Sequence, residues 1–245
     1  MRMILLIAGR ELRSFFVSPI AYVVLAGFLL VTGWFFFNLL FRFHHLTTLY
    51  SSVQNVQGLQ SLNLNEHVIA PLLHNLAIML LIMVPVRTYE LLLTSPLAVP
   101  QIVIGKFIGC LTFVGFMLLL TGIYPALLLL YGDPEVGVLV AGYLGLYLLA
   151  TVFVSVGLFT SSLTENQIIA AVLCFVILLL LYALSWPAQT LGPGLGHILG
   201  YLSVVEHFSQ MIKGQIDTQS IVYLLSLAVL SLFLTDRSVE ASRWR

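Results

Sequence analysis

Charge is what this chain has least of: 8% of its 245 residues are Asp, Glu, Lys or Arg, about a third of the share in soluble globular domains. That shortage excludes a fully solvated fold. Cysteine is scarcer still, and the two present, Cys110 and Cys174, stand inside apolar runs, where a thiol behaves as a small hydrophobe rather than as half of a disulfide or a metal ligand. Catalytic signatures are missing too. The nearest approach to a phosphate-cradling loop, PQIVIGKF, has Pro100 in place of the first glycine and Phe107 where Ser or Thr would hold magnesium. No HExxH helix, GxSxG elbow or pair of intramembrane aspartates is present, so an intramembrane protease or hydrolase has little support. Basic residues flank a short apolar stretch at the amino end without a small-residue cleavage site, and this segment is read as part of the mature protein.

What the chain has in abundance is apolar sequence, 60% hydrophobic with a mean hydropathy of +1.06. Crossing a hydrocarbon core of about 30 Å takes about 20 apolar residues in a helix, because lipid offers backbone groups no other partner. Six segments qualify, at residues 19–41, 68–86, 107–131, 136–160, 167–186 and 219–235, and none contains Asp, Glu, Lys or Arg. The fold class expected is an all-α membrane protein, one domain over residues 1–245. If both termini are cytoplasmic, eight basic residues (Arg2, Arg10, Arg13, Arg87, Lys106, Arg237, Arg243 and Arg245) lie inside and two, Arg42 and Lys213, lie outside, the asymmetry that sets membrane orientation.

The connections differ. Residues 42–67 form a long polar outer stretch, whereas spans three and four are joined by Gly132, Asp133, Pro134 and Glu135 alone. Residues 1–18 mix apolar side chains with Arg10, Glu11 and Arg13 before Ser18-Pro19, the pattern of an interfacial helix that turns upward into the first span. Residues 187–218 are too apolar for a free loop and suggest short helices in the outer interface before the last span. The inner turn at Thr164, Glu165 and Asn166 has the residues of a helix start, and residues 236–245 form a charged tail.

Two prolines four residues apart interrupt the inner stretch RTYELLLTSPLAVPQIVIGKF. Pro96 ends any short helix before it, and Pro100 opens the next, which carries Lys106 as an interface anchor. The leucines need a cover. A lipid-facing helix, a docking helix for a partner and a re-entrant pore element all fit the pattern.

Among the histidines, His74 reads as a neutral inter-helix hydrogen-bonding group with Asn75 as its partner, a role in substrate passage being the alternative. His44, His45 and His67 read as solvated or interfacial, and Glu206-His207 as plain polar surface. The glycines at 105 and 109, and at 137, 142 and 145, suit close helix packing, with a dimer seam as the alternative.

ELLLTSPLAVPQIVIGKF, NLNEHVIAPLLHNLAIMLL, YGDPEVGVLVAGYLGLYLL, GLFTSSLTENQIIAAVL and the carboxyl-terminal YLSVVEHFSQMIKGQIDTQSIVYLLSLAVLSLFLTDRSVEASRWR together resemble the ABC-2 type transporter permeases, in the branch similar to GldF, the gliding-motility-associated subunit. The resemblance runs nearly end to end. It implies two permease protomers in the bacterial inner membrane above two copies of a cytoplasmic ABC ATPase, which would bind the ATP and Mg. Additional envelope subunits are further expected partners, nucleic acid is not, and no cofactor is expected in this chain. It further implies a coupling element at residues 88–99, with Tyr89, Glu90, Leu91, Leu92, Leu93, Thr94, Ser95 and Pro96 docking on the ATPase. Thr164, Glu165 and Asn166 form a second contact, and Arg10, Glu11 and Arg13 belong to the elbow helix. One departure stands out: the family's acidic and basic stretch before ELLLTSP is absent, and Val84-Pro85-Val86 passes straight to Arg87. Either the elbow is shortened or residues are missing between Val86 and Glu90, which an intact mass separates. A non-transporting scaffold, or a secondary transporter or channel, are the other functional classes consistent with the pattern.

Overall fold

The computed structural model describes residues 2–53, 62–87, 99–132, 134–186 and 194–242. Ten α-helices carry almost all of these: α1 (Arg2–Val17), α2 (Pro19–Ser52), α3 (Ala70–Arg87), α4 (Val99–Thr121), α5 (Ile123–Tyr131), α6 (Val136–Leu163), α7 (Gln167–Ala183), α8 (Leu195–Leu202), α9 (Val204–Ile212) and α10 (Thr218–Ser242). Among the described residues there is no strand. Five helical stretches are long and apolar enough to cross a membrane: Ala21–Ser52, Asn65–Val84, Val99–Tyr131, Val136–Leu163 and Thr218–Ala241. The protein is an all-helical membrane protein. Gln167–Ala183, at 17 residues, is apolar but shorter.

The helices overrun the apolar windows read from sequence. In α2 the helix continues to Ser52, so the first part of the polar stretch after Phe41 is helical, and its 34 residues span about 51 Å, well beyond a core of about 30 Å. Helix α4 begins at Val99-Pro100, as the proline suggested, and takes in Lys106; α10 takes in Asp236, Arg237 and Glu240. Charge does not stop a helix; it stops the part that lipid can cover. One interruption was not anticipated. Span three breaks at Gly122 between α4 and α5, because Pro125 has no N–H for the Thr121 carbonyl and its ring crowds that group.

Side-chain contacts fix the directions. Thr32 reaches Met79 and the Phe43 ring lies 6.3 Å from His67, so α2 and α3 are antiparallel. Phe16 packs on Phe116 and the Tyr124 hydroxyl donates to the Leu29 carbonyl at 2.7 Å, so α1 and α2 rise in the same sense as α4 and α5. Thr121 meets Tyr143 at 3.3 Å, Tyr182 meets His74 at 2.7 Å, and Ser238 donates to the Ser162 carbonyl at 3.1 Å. These contacts run α6 and α10 one way and α7 the other. Helix α6 is the centre. Every residue from Leu149 to Leu158 is buried, and α3, α4, α7, α9 and α10 all pack on it, as expected for a helix apolar on all sides. Its Ser155 and Thr160 hydroxyls donate to carbonyls in their own preceding turn, which satisfies them without a partner helix.

Candidate functional site at the end of the bundle that carries α1

One end of the bundle gathers α1, the start of α4, the α6–α7 turn and the last turns of α10. Helix α1 lies along α4 in parallel register. A Cβ placed on Gly105 would come within 2.7 Å of Ile7, and one on Gly109 within 2.9 Å of the Glu11 Cβ and 3.3 Å of the Ala8 carbonyl. The glycines therefore form a notch for α1 inside this chain, the close packing that small residues allow. Further along, Phe15 stacks on Phe113 at 5.1 Å and Phe16 meets Phe113 and Phe116 edge-on.

Within that contact Glu11 and Lys106 form an ion pair at 3.8 Å, with side chains only 11% and 10% exposed. Sequence reading had both at the water interface, Glu11 on a surface-lying helix and Lys106 as an anchor. Burial changes their role. Two charges withdrawn from water hold each other, and removing Lys106 would leave Glu11 buried without its cation. The sequence offered one partial signal, Lys106 as the single charged residue of an otherwise apolar helix, but Glu11 stands between Arg10 and Arg13, which hid its partner. Arg10 and Arg13, by contrast, are exposed.

The predicted docking residues Tyr89, Glu90, Leu91, Leu92, Leu93, Thr94, Ser95 and Pro96 lie outside the described residues. Their flanks are placed, however. Helix α3 descends to Arg87 at this end, and α4 begins here at Val99. Val99 and Val103 pack with Val239 of α10 in a small apolar cluster separate from the main core. The second predicted contact is a formed turn. Asn166 caps α7, its side-chain oxygen accepting from the Ile168 and Ile169 amides at 2.9 and 3.4 Å, and the Thr164 hydroxyl accepts from the Asn166 amide at 3.2 Å. Glu165 and Asn166 are exposed and Thr164 is half-buried. The bond from Ser238 to Ser162 ties this turn to α10, and Arg237 pairs with Glu240 at 2.9 Å. The fold thus brings the α6–α7 turn and the descending end of α3 to the end where α1 meets α4, although sequence separates them widely.

Away from this end, two histidines find partners that sequence did not name. His74 is hydrogen-bonded between helices as expected, but to Tyr182 of α7 rather than Asn75. His207 corrects its reading as polar surface: it is 5% exposed, its Nδ1 lies 3.0 Å from the Ser220 hydroxyl and its Nε2 3.0 Å from the Tyr201 carbonyl, and its ring stacks on Tyr223 at 4.4 Å. Since a carbonyl only accepts, Nε2 carries a proton. Residues 194–212 do form the short helices expected before the last span. Helix α9 buries Val204, Val205, His207, Phe208, Met211 and Ile212 against the bundle. His44 and His45 are exposed and His67 is half-buried. Among the described residues no three His, Cys, Asp or Glu side chains gather as a metal site would require. Gly142 and Gly145 seat Leu73 and Met211, while nothing lies near Gly137.

No protein-family model matches the chain, and no curated protein matches it.

Proposed function

We propose that this chain is the membrane-spanning subunit of an ABC-2 type transporter, similar to the GldF-like branch and paired with a second protomer. A cytoplasmic ATPase would dock on residues Tyr89 to Pro96 and on the Thr164–Asn166 turn. The supporting observation is the convergence at one end of the bundle: both flanks of the apolar docking segment, the α6–α7 turn and α1 share it. A partner seated there would touch elements leading into α3, α4, α6 and α7 at once. Closure of an ATPase pair would then push on the segment and tilt the second and third spans, changing a passage at the protomer seam. In this reading α7 is a sixth span, about 25 Å long, α1 is the elbow helix, and both termini face the cytoplasm of a bacterial inner membrane. The substrate is a lipid, hydrophobic peptide or envelope polymer, in keeping with spans whose apolar stretches carry no charge.

The test is purification from native membranes in mild detergent, with ATP hydrolysis measured on the eluate. Wild type is expected to bring down a chain with a phosphate-binding loop and ATPase activity, and Glu90→Arg with Leu92→Asp is expected to lose both. Retention by that variant overturns the docking assignment. A scaffold that anchors the same partner without transport is the second reading, favoured by the same apolar segment. Stimulation of ATP hydrolysis by added lipid or peptide in the reconstituted complex separates the two.

A further inference from the structure

On α1, Met3, Leu6, Arg10, Arg13 and Val17 recur at helical spacing and all are exposed. The stripe combines apolar surface with two guanidinium groups and contains no acid, because the only acid of α1, Glu11, is turned inward onto Lys106. Neither Arg10 nor Arg13 forms an ion pair or hydrogen bond among the described residues. Height along the bundle is set by α4: Glu11 lies beside Gly109 and Phe15 beside Phe113. The two arginines therefore stand level with the first turns of the charge-free run that begins at Phe107. Helical side chains lean toward the helix N-terminus, which here points back out of the apolar zone. Long basic side chains so placed reach the headgroups while their stems stay in apolar surroundings.

We infer that Arg10 and Arg13 form a binding site for the phosphate of anionic phospholipid in the leaflet at this end of the bundle, with Met3, Leu6 and Val17 against the adjoining apolar surface. Two findings select this occupant. Among the described residues no acid compensates the positive charge, and α1 leads through Ser18 into α2, whose apolar span begins at Ala21. Guanidinium matches a phosphate bidentately, and anionic headgroups attract basic residues at a membrane surface. The inference rests on membrane embedding, not on the transporter assignment.

The test uses the purified chain in nonionic detergent, with thermal midpoint read against added dioleoylphosphatidylglycerol, dioleoylphosphatidylcholine or inorganic phosphate. Phosphatidylglycerol is expected to raise the midpoint, whereas phosphatidylcholine and inorganic phosphate are not. Each of Arg10→Gln and Arg13→Gln is expected to weaken the apparent affinity for phosphatidylglycerol about fivefold. The double variant loses the response, and Arg10→Lys with Arg13→Lys keeps most of it. An unchanged response in the double Gln variant overturns the site, as does equal stabilisation by phosphatidylcholine. A double variant that keeps the lipid response but loses the ATPase would make this face a protein surface and equally overturn the inference. Glu90→Arg with Leu92→Asp is expected to leave the lipid response intact, so failure of the docking assignment is read separately.

Discussion

Helices α1 and α9 are alike in sequence pattern, each short and amphipathic, and each was expected to rest in a membrane interface. The bundle holds them differently. Helix α9 is sunk against α6, with His207 hydrogen-bonded to Ser220 and the Tyr201 carbonyl and stacked on the Tyr223 ring. Helix α1 is pressed into the Gly105 and Gly109 notch and pinned by a charged pair, with its basic face left outside. An amphipathic pattern tells that one side of a helix is covered but not by what. The ion pair makes α1 the attachment that depends on both its ends being charged.

That contrast can be broken most severely at Lys106. Lys106→Met leaves Glu11 buried without its cation and should cost about 3–5 kcal/mol. Glu11→Leu combined with Lys106→Met should recover most of the loss, as measured by unfolding in mixed detergent micelles. If the single change were as mild as the double, the pair would not be holding α1.

On the α9 side the expected effect is smaller. His207→Ala removes two hydrogen bonds and two ring contacts and should cost about 1–3 kcal/mol by the same assay, without the rescue that a second substitution gives on the α1 side.

Glycine notches serve both attachments, since a Cβ on Gly109 would crowd Ala8 and Glu11 and one on Gly145 would come within 2.8 Å of the Met211 side chain. Gly109→Ala and Gly145→Ala should each cost about 1–3 kcal/mol by overpacking. A neutral result at one position would show that its attachment is looser than the geometry implies. The smallest change expected is Tyr182→Phe, which removes one inter-helix hydrogen bond to His74 and should cost about 0.6 kcal/mol.

Much of this architecture was legible beforehand. The break at Ser18-Pro19, the start of α4 at Pro100, the α7 cap at Asn166 and the short helices after residue 187 were all read from proline, cap residues and hydropathy. Two kinds of feature were not. The apolar windows end at Phe41 and Thr235 while the helices run on to Ser52 and Ser242, because such windows measure what lipid tolerates and backbone hydrogen bonding carries a helix further. The partners of polar side chains were also missed: His207 was taken for surface, and Glu11 and Lys106 were read separately.

The sequence by itself determined that the chain is helical and crosses a membrane, since only a helix satisfies its own backbone in lipid and apolar length is written in one dimension. The tertiary structure alone decided which side chains meet. Around most of these helices apolar residues fall on every side, so nothing in their order marks the face that a neighbour will cover, and a lone acid or imidazole finds its partner only when the helices are brought side by side.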